Sequence, residues 1–180
     1  MTAINRNPAN TDLLQSTKFR LTFDRLPGLT YFCQSANFPG ISLTEITRPT
    51  PFVDLYIPGE KAVYDTFNIS FLVDEDLLAW TEVHDWIRGM TFPTDFREYV
   101  DLARQSQGAF QARASTGKPQ YSDSILTFYT NKNNANFRVK FFNMFPTSIS
   151  TIIVSTSDSA ENIITAEASF RYSYYDYERI

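Results

Sequence analysis

The residues able to carry chemistry are few. The 180-residue chain holds one histidine, His84, and one cysteine, Cys33. A Ser–His–Asp or Cys–His relay would need that histidine. No G-x-S-x-G elbow accompanies it. His84 falls on the apolar face of a predicted helix, and Cys33 falls in a strand-like segment. Both therefore read as packed side chains, the first hydrogen-bonded and the second a small buried thiol. One His and one Cys cannot build a structural zinc site, and a lone cysteine allows no internal disulfide. The run Asp74, Glu75, Asp76 lacks the glycine and spacing of a calcium loop. Carboxylate pairs of the kind a glycosidase needs are plentiful in an acidic chain, and Glu82 and Asp85, one helical turn apart, are the obvious one. Exposed helix faces produce such pairs routinely. With six glycines and neither G-x-x-x-x-G-K nor G-x-G-x-x-G, no phosphate cradle is expected. Asn68-Ile69-Ser70 matches a glycosylation sequon but sits in a predicted strand. The sequence thus predicts no catalytic residue, no metal ligand and no cofactor, and the protein is not expected to be an enzyme.

Composition narrows the class. Hydrophobic residues make up 43% and charged residues 20%, which suits a globular chain of one domain. Aromatics reach 16%, with 16 Phe and 10 Tyr, a load that packs well on pleated sheets. The net charge is −4 and the pI about 5.0, so no basic excess exists for gripping nucleic acid through phosphates. Residues 1–17 are polar and Asn-rich and do not resemble a secretory signal. No apolar stretch approaches the ~20 residues of a membrane span, so the chain is expected to be used as a soluble protein.

The elements that would have to position any site are mostly strands. Residues 162–177 alternate almost without a break, with Ile164, Ala166, Ala168, Phe170, Tyr172 and Tyr174 on one side. This predicts a long half-buried strand with no helix after it to cover its edge, a hazard unless a partner pairs with it. Phe19, Leu21 and Phe23 give a first strand. Residues 25–28 turn it, and residues 31–37 are expected to return as its hairpin partner. Residues 41–48 are extended, with a bulge or edge near Ile46. Pro49, Pro51 and the turn signal Pro58-Gly59 make residues 49–62 a protruding loop or ribbon. Residues 63–73 read as one strand. Asp74 is placed as an N-cap, followed by an amphipathic helix over residues 74–88 that presents Leu77, Trp80, Val83, His84 and Ile87, with Gly89 ending it. Trp86 lies off that face, a position for rim packing or for contact with another subunit. A short helix is possible over 95–106, and 108–122 reads as a loop. Strands over 124–130 and from 137 to 141 flank a polar tip, Pro146 breaks the second, and residues 149–155 form another. The expected organisation is an arm over 1–16 and one domain over 17–180 with an insertion or long loop at about 89–122.

Three blocks taken together resemble the tail tube proteins of contractile-tailed bacteriophages. The first runs from Phe19, Leu21 and Phe23 through Cys33 to Phe38-Pro39-Gly40-Ile41. The second is Ile57-Pro58-Gly59-Glu60-Lys61, then Tyr64 and Phe67, then the strand into Asp74 and Glu75. The third is Phe145-Pro146 to Ile149, a polar turn with Asn162-Ile163-Ile164, and the final aromatic strand. The resemblance implies a mainly β fold, a β-barrel or sandwich of antiparallel strands with one flanking helix at 74–88, contributing strands to a barrel shared by the oligomer. It implies stacked hexameric rings around a channel through which DNA passes without specific binding. The 41–62 ribbon would reach the neighbouring ring through Phe52, Val53, Tyr56 and Ile57, and Trp86 would face another subunit or the sheath. The implied partners are further copies of the chain, the tail sheath protein, the baseplate with its tube initiator, and the tape measure protein. The implied place is the virion tail, assembled in the host cytoplasm, with no membrane. Similar proteins include baseplate tube initiators, which the helix with Trp80 and Trp86 resembles, and type VI secretion tubes. The residues do not separate a main tube subunit from an initiator. Bottom-up, closure of a barrel removes strand edges, a ring that stacks head to tail uses heterologous contacts, and an acidic chain suits a pore that must not hold DNA. The competing reading is a carbohydrate-binding or adhesin β-sandwich using exposed Tyr and Trp.

Overall fold

A computed structural model of the chain describes residues 12–105, 120–157 and 162–180. Seven strands form one antiparallel sheet: β1 (Phe19–Phe23), β6 (Ser122–Tyr129), β7 (Ala135–Ile149), β8 (Thr165–Arg171), β5 (Phe67–Leu72) and β2 (Cys33–Ala36) in that order, with β9 (Tyr174–Arg179) also on β7. β7 is long enough to serve two half-sheets. Residues 137–142 pair with β9, and Phe145 to Ile149 pair with β8. Between them Asn143 adopts a left-handed conformation, φ 54°. Its Nδ2–H donates to Ser173 Oγ at 3.4 Å, and its backbone N–H donates to Asp123 Oδ1 at 3.0 Å. The strand turns a corner there, as bulged strands do when one sheet folds onto itself. The two halves then face each other: Phe23 of β1 meets Phe170 of β8 at 5.2 Å, and Phe67 of β5 meets Phe141 of β7 at 4.8 Å.

Period-two patterning fills the space between. Leu21 and Phe23, Phe67, Ile69 and Phe71, Leu126, Val139 and Phe141, and Ala166, Ala168 and Phe170 are all buried. Each large side chain among them stabilises the fold by roughly 1.5–3 kcal/mol relative to exposure. The corner shifts the phase by one residue on both strands. On β7 the inward series passes from Phe141 to Met144, and at the end of the chain it passes from Tyr172 to Tyr175. The final alternating stretch is therefore two strands rather than one, and Tyr174, expected inward, is exposed. Of these two strands β8 lies inside the sheet between β5 and β7, and β9 pairs on one side only among the described residues.

Among the described residues three helices flank the sheet: α1 (Pro27–Phe32), α2 (Leu78–Thr91) and α3 (Arg97–Gln105). The expected hairpin of residues 19–23 with 31–37 does not form. Pro27 starts α1, where its missing N–H costs nothing, and β2 begins only at Cys33 and pairs with β5, while β1 pairs with β6. The expected strand 63–73 breaks at residues 65–66. Pro146 lies within β7, with a register irregularity beside it, and residues 150–155 are not a strand. Asp74 does cap α2, but from four residues before it: its carboxylate accepts from Leu78 N–H at 3.0 Å and Ala79 N–H at 3.2 Å. The helix also runs past Gly89. A Cβ there would lie 3.0 Å from Leu102 side-chain atoms, so this glycine permits the close approach of α3 rather than ending α2. Residues 89–122 thus hold the end of α2, all of α3 and the start of β6. Residues 1–11, 106–119 and 158–161 lie outside the described residues, and with them most of the expected arm and loop.

Candidate assembly surfaces

β3 (Ile41–Pro49) and β4 (Asp54–Tyr64) form a separate two-stranded sheet. It continues the β2–β5 pair outward beyond a kink. Asn37 N–H donates to Asn68 C=O at 3.1 Å, and Asp65 N–H donates to Gly40 C=O at 3.1 Å. Side chains from the body fix its root: Arg171 donates to Tyr64 C=O at 3.2 Å, and Tyr172 Oη donates to Asp65 C=O at 3.0 Å. Burial, with Tyr175 and Asp65 nearby, pushes the Tyr172 phenol upward, so it remains a donor. Tyr64 packs edge-on against both Tyr172 and Tyr175.

Beyond the root no described residue covers the hairpin. Every residue of β3 is exposed, and every residue of β4 except Gly59 and Tyr64. The expected turn at Pro58-Gly59 lies inside β4. A Cβ on Gly59 would sit 2.5 Å from the Thr44 carbonyl oxygen, which bulges between Leu43 and Glu45. Glycine is required here because two backbones meet. The reversal comes at residues 50–53, where Val53 N–H donates to Thr50 Oγ1 at 3.2 Å.

The four residues expected at the inter-ring contact all fall on this hairpin. Phe52, 98% exposed, and Val53 are at the tip. Tyr56 stands opposite Thr47 and Ile57 opposite Ile46, so these two point to opposite faces. Ile46 and Leu55, both exposed, were not among the expected contacts, since only the pairing register shows them beside Ile57. Trp86 needs correction. It is 1% exposed, donates from Nε1–H to Gln120 C=O at 3.1 Å, and lies under the Arg25 guanidinium at 5.0 Å. It is a core residue and presents nothing to a sheath or a second subunit. The helix buries Ala79, Val83, Trp86 and Gly89, a face rotated from the expected one, because α1 and α3 cover α2 as well as the sheet.

The residues weighed for chemistry do structural work. His84 is half-buried, stacks on Trp80 at 5.1 Å and places Nδ1 3.2 Å from Asp85 Oδ1. Glu82 turns away from Asp85 and accepts from Gly28 N–H at 3.0 Å and Leu29 N–H at 3.3 Å, capping α1. Partial burial raises its pKa despite those bonds. Cys33 is half-buried, and burial pushes its thiol up to about 11.

Two further surfaces are incomplete. β1, β2 and β9 each pair on one side only among the described residues. At the start of α2 a groove opens between Val73, Leu77 and Trp80 on one side and Ile149, Ile152, Val154, Ile163 and Ile164 on the other, with Asp74 and Glu75 at its rim.

The profile of the family described as phage tail tube protein matches residues 8–178. The tail tube terminator protein of Enterobacteria phage T4 is 23% identical over 152 residues, 81% of this chain and 76% of that protein. The fold matches the tube-terminating cap of the anti-feeding prophage, with TM-score 0.60, 13% identity and 100% of both chains covered. It also matches the sheath–tube complex of the PVC extracellular contractile injection system, with TM-score 0.60, 13% identity and 93% of each chain covered. The folded sheet, its helices and the uncovered hairpin are therefore those of a chain that belongs to the phage tail tube protein family.

Proposed function

We propose that this protein is a structural, non-enzymatic subunit of a contractile-tail tube. Copies close into hexameric rings through the unpaired margins of the sheet, and the β3–β4 hairpin of each copy engages a neighbouring ring. The hairpin is the observation that carries this reading. A two-stranded ribbon is marginal alone in water, yet this one exposes Ile46, Phe52, Val53, Leu55, Tyr56 and Ile57. Exposed apolar residues gathered on one element in this way mark an interaction site. Ring closure through the margins would likewise bury strand edges that invite uncontrolled pairing. The stacked rings would enclose the channel through which DNA leaves the virion, inside the sheath and above the baseplate, with the tape measure protein setting their number; the parts would assemble in the host cytoplasm. Negative-stain microscopy and sedimentation of the purified chain test this. Six-fold rings that stack are the expected result, and a monomer at high concentration in every salt condition overturns it.

The T4 relative supports a second reading, that a single ring of this chain ends the tube. The same experiment separates the two: rings that never stack on themselves, but bind the ends of tubes made by another protein, favour the terminator.

A further inference from the structure

The half-sheet β2-β5-β8-β7 has two ends, and the two incomplete features lie one at each. The hairpin leaves where β2 ends and β5 begins. The groove opens where β5 ends, β8 begins and β7 ends, at Val73, Ile164 and Ile149. We propose that this groove seats the β3–β4 hairpin of a second copy of this chain stacked head to tail, an inference that rests on the stacking reading. Displacement along the strands brings one feature onto the other in a heterologous contact that repeats from ring to ring.

Chemistry selects which face of the hairpin enters. The register places Ile46, Ile57, Leu55 and Arg48 on one face, and Glu45, Thr47, Tyr56 and Asp54 on the other. The first is aliphatic with one cation, and the second carries two acids. The groove is aliphatic with an acidic rim, and Ile163 and Val154 stand exposed beside it. Asp74 is occupied by the first amides of α2, which leaves Glu75 as the rim acid at the groove's opening to meet other charges, and Asp76 follows it. The Arg48 face complements that rim, whereas the Glu45 and Asp54 face would set like charges together.

The test uses the full chain. Arg48→Glu should raise the protein concentration needed for ring stacking by about tenfold or more, read by sedimentation, and Glu75→Arg in the same chain should restore it. Arg48 is exposed, so circular dichroism and melting should match the parent. In a Cys33→Ser background, Leu55→Cys with Val154→Cys should give, on oxidation, disulfide-linked ladders spanning more than one ring. If the parent stacks while R48E stacks equally well and the cysteine pair does not cross-link, the groove assignment is wrong and the stacking reading stands. If the parent never stacks, both fall.

Discussion

The folded body and the β3–β4 hairpin use the same residue types to opposite ends. In the body, Phe67, Phe71, Phe141 and Phe170 are fully enclosed, with Trp86 capping them from α2. In the hairpin, Phe52, Tyr56, Ile46 and Ile57 face outward from a ladder that, among the described residues, pairs only with itself. The body completes its own packing, whereas the hairpin leaves its packing to something outside the chain. Among the described residues the hairpin, the groove at α2 and the strand margins are left incomplete. That distribution predicts that mutations will separate into those that damage folding and those that damage assembly.

The largest expected effect lies in the body. Trp86→Ala removes a fully buried ring, its hydrogen bond to Gln120 and its contact with Arg25. It should cost about 3–5 kcal/mol in denaturant unfolding. A loss below about 0.5 kcal/mol would put Trp86 back on the surface, where the helical wheel alone places it.

That wheel shows where the sequence was legible. β1 and β5, whose burial is one-sided, read directly from alternation, β5 within a longer expected strand. The β6–β7 hairpin also declared itself through its polar tip. Alternation cannot show a phase slip that depends on a partner, so the corner at Asn143 and Ser173 made two strands look like one. Trp86 was misplaced because a wheel assumes one covered face, and α3 adds a second through the close approach at Gly89. Pro27 and Gly28 read as a turn because the group that stabilises a six-residue helix there, the Glu82 carboxylate, comes from 54 residues away. Pro58-Gly59 read as a turn because a glycine opposing a bulge and a glycine in a reversal are the same letter.

Gly59→Ala tests the join between the two regions. Its Cβ would meet the Thr44 carbonyl, and the backbone shift should cost about 1–3 kcal/mol. The cost should fall on the hairpin alone. Hydrogen exchange should accelerate at the β3–β4 amides while the melting of the body stays at its parent value. A matching fall in body stability would mean that the hairpin and the sandwich fold as one unit.

Glu82→Ala removes the cap of α1 and should cost about 1 kcal/mol. Glu82→Gln sharpens this through pH. Partial burial raises the carboxyl pKa in the folded state, so the native protein holds that proton more tightly than the unfolded chain. Stability from this group therefore falls as pH rises through the window opening at the ordinary 4.5. Unfolding measured across that window should be flatter in E82Q than in the parent, and an unchanged slope would assign the pH dependence to other groups, among them Asp24, which burial and Asp123 shift the same way.

The smallest effect on stability should accompany the largest effect on assembly. Phe52→Ser with Val53→Ser changes two side chains that water already reaches in the isolated chain, so unfolding should move by no more than about 0.5 kcal/mol. Transfer of the same two side chains into a neighbour's surface would be worth several kcal/mol per copy, and a closed ring repeats each contact, so a deficit too small to see in the monomer becomes a failure to stack. Microscopy and denaturant unfolding on one preparation measure both quantities. Unfolding that weakens by 2 kcal/mol or more would show that the tip packs on its own body, and the contrast between a self-sufficient sandwich and a dependent hairpin would dissolve. Unchanged unfolding with lost stacking would fix the hairpin's apolar residues as interface, held out by a body that gains nothing from them.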